Sequence, residues 1–98
     1  MKQFMIISHL PANFIREYEA LIPQQRDVIN KLMYEGIISG VSLSLDRSIL
    51  WLTMNAQSEA AVNEILSTFP LIDHMRNEVI DLMFHFNFIN AFPQLSMN

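Results

Sequence analysis

The chain of 98 residues has six Lys and Arg, ten Asp and Glu and no Cys, which gives a net charge of −4. Its length suits one domain, and 51% hydrophobic residues exclude intrinsic disorder. The acidic balance argues against nucleic acid as a partner, the absence of Cys excludes disulfides and thiolate metal sites, and no segment approaches the ~20 apolar residues of a membrane span. We therefore expect a cytoplasmic protein with neither nucleic acid nor membrane as a partner.

The first part of the chain predicts a strand and then a helix. An almost continuous apolar run over residues 3–10, ended by Pro11, is typical of a strand that is at least partly buried on both faces. Apolar residues at helical spacing then predict a helix over about 22–35, because Pro23 interrupts the pattern at one end and Gly36 is a natural stop at the other.

The second part predicts a hairpin, a helix and a final strand. Residues 37–55 alternate between apolar and polar side chains on both sides of a short polar turn, which is typical of a β-hairpin. Ser58 is placed to cap a second helix, which Phe69 and Pro70 end. Alternation over residues 78–86 predicts the last strand, with Asp81, Met83 and His85 on one face. The predicted order is βαββαβ.

This order predicts an α+β, ferredoxin-like domain over residues 1–86, with an antiparallel sheet and both helices on one face. The other sheet face is then left uncovered, and the charged fraction of 16% is low, so we expect two copies to bury these faces together. The pattern does not decide whether Phe4, Ile6 and Ser8 or the alternate residues of the first strand face that interface. Residues 87–98 have an apolar composition, and we expect this arm to dock on a neighbouring subunit.

Short motifs along the chain resemble the muconolactone isomerase-like group of the dimeric α+β barrel superfamily. The resemblance runs from about residue 21 to 86, and the residues that carry it are Leu10 and Pro11, Leu32 with Glu35 and Gly36, Pro70 and Leu71, Met75, Glu78 and Val79, and His85.

The resemblance implies a homodimer whose sheets close into a barrel, with further assembly into rings, and cofactor-free proton transfer that moves a double bond in a carboxylated lactone. The chain departs from the family in two places. The isomerases have bulky Trp and Arg residues where this chain has the stretch 38–43, which contains neither. They also have acidic residues in the first helix where this chain has Gln24 and Gln25.

Three residues are candidate proton carriers. His9 ends the first strand, where the isomerases have a Lys, and a histidine can serve as a general base near neutral pH. Asp81 and His85 would line one cavity inside the barrel if the opposite face of their strand packed on the helices. The alternatives are a strand-end histidine bonded to the backbone and a polar pair satisfied across a dimer interface.

Five further residues are candidates for binding a substrate. Trp51 and Thr53 share a strand face with Ser42 and Ser44, and an aromatic wall beside hydroxyls suits a small, flat, oxygenated ligand or, equally, a dimer core. Glu78 precedes the last strand and either acts in the site or bonds nearby backbone amides.

The resulting hypothesis is a small-molecule enzyme that resembles muconolactone isomerase and needs no cofactor. The alternative is a non-catalytic homo-oligomer that binds a ligand or only itself. The three histidines have no tight metal-ligand spacing, so no metal site is predicted.

Overall fold

The computed structural model describes residues 1–12 and 15–86, and the arm predicted over residues 87–98 lies outside them. The strands and α-helices follow along the chain as β1 (Lys2–His9), α1 (Arg16–Tyr34), β2 (Ile38–Leu43), β3 (Ile49–Ala56), α2 (Glu59–Leu66) and β4 (Arg76–Leu82), with a short 3-10 helix over Ile72–His74 before β4. The four strands form one antiparallel sheet in the order β2-β3-β1-β4. The predicted α+β, ferredoxin-like arrangement is therefore confirmed.

The side chains of each strand alternate between a helix-facing side of the sheet and an open side. Phe4, Ile6 and Ser8 on β1 are fully buried, and they lie opposite Met54, Leu52 and Leu50 on β3. The alternate residues of β1 are half-buried on the open side. The orientation of β1, which the sequence left undecided, follows from this register.

One hydrophobic core joins the helix-facing side of the sheet to both helices. Its members include Phe4, Leu52, Ile29 of α1, and Val62 and Leu66 of α2. Fully burying a side chain of this size stabilises the fold by roughly 1.5–3 kcal/mol, so this layer supplies most of the stability of the domain. In the part of the chain that the structure describes, no helix is both long and apolar enough to cross a membrane.

The first helix is longer than its pattern predicted. It begins at Arg16 and contains Pro23 in its interior, so the predicted start near residue 22 was wrong. Proline removes one backbone hydrogen bond and disfavours a helix interior, but α1 has buried residues on both sides of it, Tyr18 before and Gln25 after, and burial of this kind supplies most helical stability in proteins. The predicted stop is confirmed, since Gly36 adopts a positive φ of 79° directly after the helix cap.

Of the other predicted boundaries, the start of α2 is confirmed and the end of the last strand is wrong. Ser58 caps α2 as predicted, because its Oγ accepts the backbone N–H of Ala61 at 3.1 Å. The last strand was predicted too late, since β4 ends at Leu82 and not at residue 86. β4 lies at an edge of the sheet and pairs only with β1, and the last pair of that register is Gln3 with Leu82.

Candidate functional site

A cleft of about 330 Å³ lies between α1 and the helix-facing side of the β2–β3 hairpin. One wall is the row of α1 side chains at helical spacing, Tyr18, Ile22, Gln25, Ile29 and Met33. The other walls are mostly aliphatic and come from β2, β3 and the segments that follow β1 and α2. A concave, largely apolar space with a few polar groups is typical of a small-molecule site.

Two arginines provide the positive charge of the cleft. Arg26 on α1 and Arg47 in the β2–β3 turn are exposed residues that line it, and neither guanidinium forms an ion pair with a carboxylate within the described residues. Guanidinium groups bind carboxylates through paired, charge-assisted hydrogen bonds. The cleft therefore suits an apolar molecule that carries a carboxylate.

The turn that holds Arg47 is built by hydrogen bonds to Asp46. The Asp46 carboxylate accepts from the hydroxyls of Ser44 and Ser48, each at 2.7 Å, and from the Ser48 backbone N–H at 3.0 Å. These bonds lower the pKa of Asp46 to about 2 from its ordinary 3.8. Arg47 itself has a positive φ of 63°, a strained conformation that the bonded turn maintains.

Two buried polar residues of α1 also line the cleft. Tyr18 is 3% exposed, burial raises the pKa of its phenol, and its ring meets the His74 ring edge-on at 5.5 Å between centroids. Gln25 is 5% exposed and bonds the segment after α2: its Oε1 accepts the backbone N–H of Leu71 at 3.1 Å, and its Nε2 donates to Met75 Sδ at 3.6 Å.

The predicted proton carrier His9 lies on the open side of the sheet, outside the cleft. Its Nε2 is 2.7 Å from Glu78 Oε2, and because a carboxylate only accepts, the hydrogen between them belongs to Nε2. The structure thus brings two predicted site residues together. His9 also lines a shallow surface groove with His74 and Arg76.

The other two predicted proton carriers lie outside the cleft. Asp81 lies opposite Phe4, so it projects to the helix-facing side, where it is exposed and lies 3.3 Å from the Lys2 ammonium. His85 follows the end of β4 and is half-buried. The condition for placing both residues inside a barrel is not met, because Ile80 and not Asp81 projects to the open side.

The predicted ligand-binding group on the hairpin is assembled in part. Trp51 pairs with Ser42 and Thr53 with Gly40, so these side chains share the open side of the sheet as predicted. Ser44 instead belongs to the turn, where its Oγ bonds Asp46 and accepts the backbone N–H groups of Ser48 and Ile49.

Sequence reasoning missed the polar residues of the cleft. Tyr18 lies before the predicted helix, which began too late, whereas Gln25 and Arg26 lie within it and line the cleft because of how α1 packs on the hairpin. The hairpin turn containing Arg47 was recognised, but its proximity to α1 is a tertiary contact. Within the described ranges, no three His, Asp or Glu residues are grouped to hold a metal ion.

Comparisons with known proteins show a similarity in structure. No protein-family model matches the chain, and no match is found among curated proteins. Among solved structures, the chain is similar to a crystal structure of muconolactone isomerase, with a TM-score of 0.71 and 20% sequence identity over 85% of this chain and 90% of the other.

Proposed function

We propose, for a chain that has the muconolactone isomerase-like fold, that this protein binds a small, mostly apolar carboxylic acid in the α1 cleft and moves a double bond within it without a cofactor. The observation that carries the proposal is the cleft itself, whose apolar walls are combined with two arginines that have no carboxylate partner in the described chain. The arginines bind the carboxylate and the walls enclose the hydrocarbon part.

The reaction would transfer one proton within the substrate. The C–H bond beside the double bond breaks, its electron pair forms the new double bond, and a proton returns at the far carbon, so nothing is gained or lost. Of the predicted carriers we propose His9, which lies outside the cleft, so the proposal requires the reacting carbon of the ligand to extend past Leu10, the residue that lines both the cleft and the groove that contains His9. In a neutral His9 that donates from Nε2 to Glu78, Nδ1 is the basic nitrogen.

The second candidate is a non-catalytic protein that binds the same kind of ligand. One observation favours it: within the described residues, the lining of the cleft includes no Asp, Glu or His. A ligand held there would contact guanidinium, amide and phenol groups but no ordinary proton acceptor.

We further propose that the protein acts in the cytoplasm as a homodimer, with the open sheet sides facing each other and residues 87–98 docked on the neighbouring subunit. The open side supports this with half-buried or exposed apolar residues on three strands, namely Met5, Ile7, Trp51, Ile80 and Leu82. A second copy would remove this surface from water.

Proton NMR in D₂O with muconolactone as the probe tests the proposed function. An isomerase moves the double bond and incorporates deuterium at the carbon that is reprotonated, and His9→Asn slows both changes. Binding without a shift of the double bond overturns the catalytic proposal in favour of the second candidate. Absence of binding for muconolactone and related unsaturated acids overturns both.

Arginine variants test the placement of the ligand. Arg26→Ala and Arg47→Ala should each weaken binding of muconolactone about 10- to 100-fold, since hydrogen bonds to charged groups contribute ~1.5–3 kcal/mol. Lys31→Ala is the matched control, because Lys31 is an exposed cation on α1 that does not line the cleft. Equal losses in all three variants, measured by calorimetry, would show only a general effect of charge.

A further inference from the structure

Gln25 has a second amide hydrogen that forms no hydrogen bond among the described residues. Its side chain is 5% exposed and lines the cleft, and its Oε1 is fixed towards Leu71, whose backbone N–H can only donate. The amide nitrogen therefore has a defined position. Its recorded acceptor is Met75 Sδ at 3.6 Å.

A primary amide carries two donor hydrogens, and a thioether sulfur is a weak acceptor for one of them. The other hydrogen of Gln25 Nε2 has no acceptor among residues 1–12 and 15–86. Buried polar groups are almost always hydrogen-bonded, since an unmet donor loses its water without compensation. A donor hydrogen with no protein acceptor in the described chain, on the wall of a ligand-sized cleft, is available to a ligand.

We propose that Gln25 Nε2 donates to an uncharged carbonyl oxygen of the ligand and thereby selects acids that carry such a second oxygen. This inference rests on the proposed function and deepens it. Arg26 and Arg47 are exposed whereas Gln25 is buried, so the ligand lies with its carboxylate towards solvent and its carbonyl oxygen inward. In the double-bond shift, proton removal places negative charge on that oxygen, and the same N–H stabilises it.

The competing explanation is that Gln25 has only a structural role, in which its hydrogen bonds hold α1 against the segment over residues 71–75. If the role is structural, replacing Gln25 affects folding and changes the affinity for all ligands alike. A ligand contact affects only those ligands that present the matching oxygen. The test therefore compares two ligands on the same variants.

The probes are muconolactone and cyclopent-2-ene-1-acetic acid, which keeps the five-membered ring and the acetate but lacks the ring ester. Calorimetry should show that the wild-type protein prefers the lactone acid by about tenfold. Gln25→Met should abolish this preference while leaving the carbocyclic acid bound. Gln24→Met is the matched control, since Gln24 is the exposed neighbour on α1, and it should keep the wild-type preference.

Gln25→Glu supplies a second readout. Unlike Gln25→Met, this variant keeps the hydrogen bond from the Leu71 backbone N–H. A glutamate keeps the acceptor for Leu71 but donates only when protonated, so the preference for the lactone acid should be absent at neutral pH and return as the pH falls. A preference in Gln25→Glu that equals the wild type at every pH overturns the role of Gln25. Equal affinity of the wild-type protein for both probes also overturns the role of Gln25 but leaves the proposed function standing. Failure of both probes to bind overturns the proposed function itself.

Discussion

The two sides of the sheet use the same strands for different purposes. On the helix-facing side, Phe4, Ile6 and Leu52 are fully buried in the core, whereas on the open side Ile7 and Trp51 remain partly exposed in the protomer. Both sides are rich in apolar residues, although only one of them is covered by helices. The apolar residues of this chain therefore form a core and also a second surface that a partner can cover.

The polar groups of the two sides differ in the same way. The cleft on the helix-facing side contains Gln25 and two arginines that have no carboxylate partner among the described residues. On the open side, His9 and Glu78 are bonded to each other. The cleft therefore has guanidinium groups that can bind a ligand carboxylate, whereas on the open side His9 Nε2 is already bonded to Glu78.

The largest expected difference between the sides is in stability. Leu52→Ala should lower the free energy of unfolding by ~2–5 kcal/mol, because it leaves a cavity in the packed core. Trp51→Ala, one residue away on the open side, should cost less at low protein concentration and more at high concentration, where a second copy covers it. Chemical denaturation over a range of protein concentrations measures both. A Trp51→Ala loss as large as that of Leu52→Ala in dilute protein would contradict the distinction.

An intermediate effect is expected on self-association. Ile80 is 44% exposed on the open side, so Ile80→Lys is tolerated in the protomer but would bury a charge between two copies. Sedimentation should show a dimer for the wild-type protein and a monomer for the variant. Tyr34→Lys is the control, since Tyr34 is 94% exposed at the end of α1. An unchanged mass for Ile80→Lys would mean that the open side is not the interface.

The smallest effect concerns the turn beside the cleft. Because the pKa of Asp46 is lowered from 3.8 to about 2, its carboxylate stabilises the folded chain fully above its ordinary pKa and loses this contribution as the pH falls towards about 2. Asp46→Asn should therefore be slightly less stable than the wild type at neutral pH, and the difference in melting temperature should vanish in acid. Asp27→Asn, an exposed α1 residue, should show no such convergence.

Local patterns predicted much of the fold. Alternation along the hairpin placed Trp51 and Ser42 on a common face, and the serine cap and glycine stop marked real helix ends. These features depend on neighbours in sequence, so the sequence contains their cause. The predicted start of α1 was wrong because the helix continues through Pro23, and the stability of a helix in a protein depends more on tertiary packing than on local propensity.

The sequence by itself determined the α+β class and the order of strands and helices along the chain, since backbone hydrogen bonding and the burial of alternate side chains depend on residue type and spacing. The tertiary structure decided the site. Arg47 and Gln25 are 22 positions apart, yet they line one cleft because α1 packs across the hairpin, and Asp81 projects away from it because of the register between β1 and β4. Register and packing are properties of pairs of elements, and no pattern within a single element contains them.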